Sequence, residues 1–138
     1  ASFARDFNKW SRYGATGQMG YLYYGPYAAY YEIGRVEMLR SLGLTYKSME
    51  AEHHILMPVM SLQMRFVRPA YYDELLTIRT TLRKLPARTI NFHVEVFNEA
   101  GQLINGGSVK LCFVDARTGK TVAAPPYLVE ALAPHFAS

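Results

Sequence analysis

The feature that most constrains this chain is a change of hydrophobic period near residue 57. Before it, Tyr27 to Leu42 puts Ala28, Tyr31, Met38, Leu39 and Leu42 on one side of a helix, with Ala29, Ile33 and Val36 around another. After it, apolar residues recur at every second position. Met60, Leu62, Met64 and Phe66 alternate with Ser61, Gln63 and Arg65, and Leu76, Ile78, Thr80 and Leu82 alternate with Thr77, Arg79, Thr81 and Arg83. Ile90, Phe92, Val94 and Val96 then alternate with Asn91, His93 and Glu95, and Val109, Leu111 and Phe113 with Ser108, Lys110 and Cys112. These segments read as four strands, each apolar on one face. Their connectors are short and carry turn residues: Arg68-Pro69 to Asp73, Leu85-Pro86, and Asn98 to Gly101. Short connectors force antiparallel pairing. Phe3 to Tyr13 supplies a further strand candidate.

One helix and one apolar sheet face must cover each other. The expectation is therefore an α+β fold, a curved antiparallel sheet of about five strands wrapped around one long central helix. Pro26 suits the first turn of that helix and Gly43 its end. Gly34, in mid-helix, costs ~1 kcal/mol against Ala, so a close backbone approach is its expected reason. Gly106-Gly107 suggests a bulge in the last long strand. Pro125-Pro126 starts a short C-terminal helix through Leu132.

Composition narrows the function classes. The 138 residues fit a single domain spanning 1–138, and a chain 50% hydrophobic and 19% charged is not wholly disordered. No stretch approaches the ~20 apolar residues of a membrane span. The lone Cys112 excludes an internal disulfide framework and a cysteine-rich zinc site. With no signal-peptide pattern, the expected location is cytoplasmic. The net charge of +4 is spread without a Lys/Arg run, which argues against nucleic acid and is compatible with a small anionic ligand.

Several motifs have plain readings. Asp115 to Thr121 imitates the tail of a phosphate-binding loop, yet Val114 stands where its first glycine belongs, so a hairpin turn is expected. His53 and His54, with Glu50 and Glu52, resemble metal-ligand material but lack a third ligand at useful spacing, and read as solvated loop side chains. No metal site is expected. Cys112 reads as a small packed group and His93 as a polar-face residue. Glu32 and Arg35, like Glu37 and Arg40, stand at ion-pair spacing on the helix. If the helix is enclosed, Glu32 also becomes a candidate for lining a site, because a buried carboxylate is costly unless paired or used. The segment 14–26 is glycine-rich and runs into a helix N-terminus, whose free N–H groups can polarise a carbonyl. Six of the 11 tyrosines crowd between Tyr21 and Tyr31.

Together, Arg12-Tyr13, Thr16 to Gly20, Tyr23 to Tyr27, Tyr31-Glu32, Arg35 to Gly43, Leu44 to Tyr46, Phe66 to Ala70 and Tyr72 to Glu74 carry a likeness. The chain resembles the single-domain hot-dog-fold acyl-CoA thioesterases, the branch with 4-hydroxybenzoyl-CoA thioesterase and the Tol-Pal-associated bacterial thioesterases. The resemblance implies hydrolysis of an acyl-CoA or acyl-carrier thioester by a homodimer or homotetramer, with sites at the dimer interface. No cofactor is implied beyond the coenzyme A of the substrate. The family's loop aspartate falls on Gly17, and its asparagine before the helix tyrosine on Pro26. Tyr24 fits a position holding His or Tyr in relatives. The implied catalytic positions are thus Gly17, Tyr24 and Glu32; Glu32 matches an acid that contacts the acyl group in the 4-hydroxybenzoyl branch. Tyr23 and Tyr27 are the implied aromatic contacts, and Lys84 and Arg88 the candidates for CoA phosphates. The glycine at 17 also raises an alternative, a non-catalytic acyl-CoA or acyl-carrier binding protein on the same fold.

Overall fold

The computed structural model describes residues 2–11, 25–71 and 73–137. Strand β1 (Phe3–Trp10) precedes helix α1 (Gly25–Ser41) and a shorter helix α2 (Tyr46–His53). Strands β2 (Ile55–Leu56), β3 (Val59–Phe66), β4 (Leu75–Leu82), β5 (Thr89–Phe97), β6 (Leu103–Asp115) and β7 (Thr121–Val122) follow, then helix α3 (Pro126–Phe136). Among the described residues the sheet has seven strands, five of them long, with β2 and β7 contributing two residues each. All pairings are antiparallel, in the order β1-β4-β5-β6-β2, and β3 and β7 also pair with β6.

The period-two pattern sorts side chains by face. Leu76, Ile78 and Leu82 of β4, Ile90, Phe92, Val94 and Val96 of β5, and Val109, Leu111 and Phe113 of β6 are buried. Tyr27, Tyr30, Tyr31, Met38 and Leu39 of α1 join them in one core. The helix packs chiefly on β4, β1 and β5. At its closest approach, a Cβ on Gly34 would run into the Thr80 hydroxyl and lie 3.1 Å from Ile78 Cγ2. That explains the mid-helix glycine. The helix ends as expected. Gly43 adopts φ 79°, its N–H donates to Arg40 O, and the Leu44 N–H donates to Leu39 O, so the free carbonyls of the last turn are met.

Three expectations need correction. Among the described residues the helix is covered on one side: Ala28, Ala29 and Glu32 are exposed, and Ile33 and Val36 half-buried. Gly106-Gly107 makes no bulge, since Met64 pairs with Gly107 and Arg65 with Gly106 in register; the shifts fall at Val59/Ser61 and Val96/Phe97. A Cβ on Gly107 would strike the Gln63 carbonyl oxygen and lie 2.9 Å from the Tyr31 hydroxyl, so close approach of β3 and α1 is the reason. His53 and His54 are not in a loop but end α2. That helix starts at a Thr45 cap, whose hydroxyl accepts from the Ser48 N–H at 3.0 Å. His53 stacks on Tyr127, with ring centroids 4.1 Å apart. Asp115 to Thr121 forms a turn between β6 and β7 with Gly119 at φ 73°, as the sequence suggests.

One anchor ties β1 to the turn before β4. Ser11 is 1% exposed, and its hydroxyl donates to Tyr71 O at 2.6 Å and accepts from the Glu74 N–H at 3.0 Å. Its N–H donates to Glu74 O, and its carbonyl accepts from the Asp73 N–H.

Candidate functional site

The first turns of α1 set Tyr27, Tyr30 and Tyr31 side by side because these positions face the sheet. The Tyr27 and Tyr30 rings meet edge-on at 5.9 Å, and Tyr27 meets Phe66 of β3 at 5.7 Å. Burial, with Tyr30 and the Glu74 carboxylate nearby, pushes the Tyr27 phenol up to about 12. Burial raises the Tyr31 phenol as well. The Tyr31 hydroxyl donates to Asn105 Oδ1 on the inner face of β6, while the buried Asn105 Nδ2 has no partner.

One turn further along, the helix overhangs β3. Ala28, Tyr31, Glu32 and Arg35 face Val59, Leu62 and Val109 across a cavity of about 190 Å³. Its floor is apolar, and its helical wall carries one carboxylate and one guanidinium. Glu32 and Arg35 form no ion pair, although Glu37 and Arg40 at the same spacing close to 2.6 Å. Tyr46, whose phenol is raised by burial, lies beside Arg35 with Glu32 nearby.

The exposed rim of this cavity is strand β3. Val59, Met60, Leu62 and Phe66 are all about half exposed, and among the described residues no strand pairs with the outer edge of β3. A long apolar strand with unpaired N–H and C=O groups is a template for another strand.

The other candidate residues fall in different places. Lys84 and Arg88 are exposed in the β4–β5 turn. Lys84 lines a concavity of about 480 Å³ there with Arg83, Pro86, Asn91 and His93. Burial and the Arg83 charge lower the His93 imidazole below its ordinary value. That turn closes the end of β4 opposite Glu74, so one chain separates it from Tyr27 by the length of β4, about 25 Å at 3.3 Å per residue. Thus Tyr27 and Glu32 share one helix beside β3, while Lys84 and Arg88 do not join them. Gly17, Tyr23 and Tyr24 lie outside the described residues. Among the described residues, no group of three or more His, Cys, Asp or Glu is placed to hold a metal, and no helix is long and apolar enough to cross a membrane.

The sequence profile of the thioesterase superfamily matches residues 19–105. YneP of Bacillus subtilis, named for acyl-CoA thioesterase activity, is 30% identical over 112 residues, covering 80% of each chain. The acyl-CoA thioester hydrolase YbgC of Escherichia coli is 28% identical over 117 residues, covering 85% of this chain and 87% of its own. Among solved structures, a DHNA-CoA thioesterase from Staphylococcus aureus superposes with a TM-score of 0.88 at 28% identity, covering 97% of this chain and 91% of its own. A 4-hydroxybenzoyl-CoA thioesterase superposes at 0.83 with 20% identity, covering 93% and 97%, and shares the fold. The antiparallel sheet packed on α1 is the hot-dog arrangement, and the chain belongs to the thioesterase superfamily.

Proposed function

We propose that this chain hydrolyses the thioester of an acyl-CoA, as a homodimer joined along β3, with the acyl group held between α1 and β3. The cavity of about 190 Å³ carries this reading, because it sets Glu32 against an apolar floor beside the start of a helix. In the proposed chemistry, first-turn N–H groups of α1 polarise the thioester carbonyl. Pro26 contributes none, so the donor is another residue of that turn. Glu32 accepts a proton from water as the water oxygen bonds to the carbonyl carbon, the carbon–sulfur bond breaks, and Glu32 returns the proton to the sulfur, so that coenzyme A leaves as the thiol and the acyl group as the carboxylic acid. Coenzyme A enters as part of the substrate, and no separate cofactor is invoked. A two-fold antiparallel pairing along β3 would put the β4–β5 turn of one chain at the same end of the joint sheet as Tyr27 of its partner. In that arrangement Lys84 and Arg88 can meet the phosphates of a CoA bound across the interface. A cytoplasmic location fits a substrate of this kind.

Thiol release from a panel of aliphatic and aromatic acyl-CoAs tests the reading. Turnover that falls by at least about a hundredfold in Glu32→Gln supports it. No turnover on any member sinks it.

Gly17 favours a second reading, an acyl-CoA binding protein without turnover, because the loop position that carries an aspartate in the resembling family has no side chain. Acyl-CoA binding without hydrolysis, together with hydrolysis created by Gly17→Asp, is its expected signature.

A further inference from the structure

Asn105 is a carboxamide set into an apolar surface. It is fully buried on the inner face of β6, paired across the sheet with Val96 of β5 and Phe66 of β3. Its Oδ1 accepts from the hydroxyl of Tyr31, which is buried as completely, and its Nδ2 has no partner. Two residues on, β6 leaves out a side chain at Gly107, where a Cβ would lie 2.9 Å from the same hydroxyl. A phenylalanine and a leucine would fill the places of Tyr31 and Asn105 with no polar group to satisfy. A buried donor without an acceptor is costly, so stability alone does not account for the pair. What the pair adds is direction. Apolar contact between α1 and the sheet is non-directional, whereas a hydrogen bond weakens steeply away from its preferred distance and angle. Tyr31 carries that constraint into the stretch of α1 that walls the cavity with Ala28, Glu32 and Arg35. Among the described residues Glu32 has no ion pair. Its carboxylate therefore sits where the helix backbone puts it.

We propose that Asn105 is a positioning residue. Through Tyr31 it fixes the rotation and height of α1 over β6, and with them the place of the Glu32 carboxylate in the cavity. The proposal rests on the acyl-thioester reading above, with Glu32 as the base. Asn105 does not line the cavity, so it acts through Tyr31 rather than on the substrate.

The test separates stability from turnover with three variants, Tyr31→Phe, Asn105→Leu and the two together. Each single change leaves a buried polar group without its partner and should lower the thermal midpoint. The double variant replaces the polar pair by an apolar pair of similar shape, so its midpoint should return to the wild-type value or exceed it. Turnover is read by thiol release from the acyl-CoA of the aliphatic and aromatic panel that the wild type hydrolyses fastest. In all three variants kcat is expected to fall at least about tenfold, because a displacement of about 1 Å at a reacting group costs up to about a hundredfold. KM should change by less than about threefold. The decisive signature is a kcat that stays low in the double variant while the midpoint recovers. A kcat that recovers together with the midpoint overturns the proposal, since the pair then acts on stability alone. So does a wild-type kcat in Tyr31→Phe, or a loss of kcat/KM that lies wholly in KM. Amide hydrogen exchange supplies a readout that needs no turnover. The α1 amides from Tyr30 to Arg35 should exchange at least about fivefold faster in the double variant than in the wild type, and an unchanged rate overturns the proposal. If the wild type hydrolyses no thioester, the thioesterase reading fails, while the exchange rates still decide whether Asn105 holds the turn that carries Glu32.

Discussion

The two long edges of the sheet solve the same problem in opposite ways. Strand β1 ends the sheet with Arg5, Asp6 and Lys9, and it lies under α1 and α3. Asp6 also accepts from Arg79 through both carboxylate oxygens, at 2.9 and 3.1 Å. Charge at an edge discourages a second strand from adding. Strand β3 ends the other side with Val59, Met60, Leu62 and Phe66 exposed. Arg65 is the one charge along its length. The same sheet therefore has one closed edge and one open edge, and the candidate site lies beside the open one. The difference teaches that, under the proposed dimer, the cover over the site would come from a second chain laid along β3.

The largest effect that would break this contrast is a charge on the open edge. Leu62→Arg is expected to reduce the light-scattering mass to that of one 15.7 kDa chain, and to cut thiol release at least about tenfold. Lys9→Glu on β1 should leave the mass unchanged. A wild-type mass already equal to one chain would end the argument. Next comes Gly107→Ala, whose Cβ would strike the Gln63 carbonyl and unseat β3 from β6. A loss of about 2–3 kcal/mol is expected, read as a lower thermal midpoint. Gly106→Ala meets only Val94 O at 3.8 Å and should cost within about 0.5 kcal/mol. Similar midpoints for the two alanine variants would contradict the close seating of β3.

On the covered side the expected effect is smaller. Gly34→Ala regains ~1 kcal/mol of helix propensity against an overpacking cost of about 1–3 kcal/mol at Thr80. A net loss near 1 kcal/mol follows, and Thr80→Ala in the same chain should recover it, because the Thr80 hydroxyl has no partner to lose. The smallest effect concerns Tyr27, which bridges α1 to Phe66 of the open edge. Its phenol is neutral in the fold up to about 12, against 10.0 unfolded, so stability holds below pH 10 and falls as pH rises toward 12. Tyr27→Phe should make that alkaline loss shallower. An unchanged slope would show that Tyr27 does not carry it.

What the sequence makes legible does not follow the same division. Wherever apolar residues recur at a regular period the element is readable, so α1 and the strands β1, β3, β4, β5 and β6 are found within a few residues of their ends, the open edge included. The first strand was expected through Tyr13 and ends at Trp10, and the C-terminal helix extends past Leu132 to Phe136. Helix α2 was not readable, because Met49 is its only buried residue and its acidic and histidine side chains carry no period. The Thr45 and Ser48 spacing was the one local signal for it. Arg35 reads from the sequence as an ion-pair partner, because its spacing from Glu32 predicts a pair whatever the surroundings. What decides its fate is the placement of α1 over β3, which no local pattern encodes. Tyr27 and Glu32 do lie beside one cavity, whereas the separation of Lys84 and Arg88 from them depends on topology.

The clamp at Ser11 has a consequence for the order in which the chain assembles. Strands β4, β5 and β6 are joined by short connections, whereas β1 pairs with β4 from Phe3↔Leu82 to Trp10↔Leu75, across the whole of α1, α2, β2 and β3. Closing so long a loop costs entropy before any pairing repays it. The meander therefore forms first, and β1 with Ser11 docks onto it afterwards. Ser11 is therefore fixed late and released early. Amide hydrogen exchange should find β1 less protected than β5, and equal protection would refute that order.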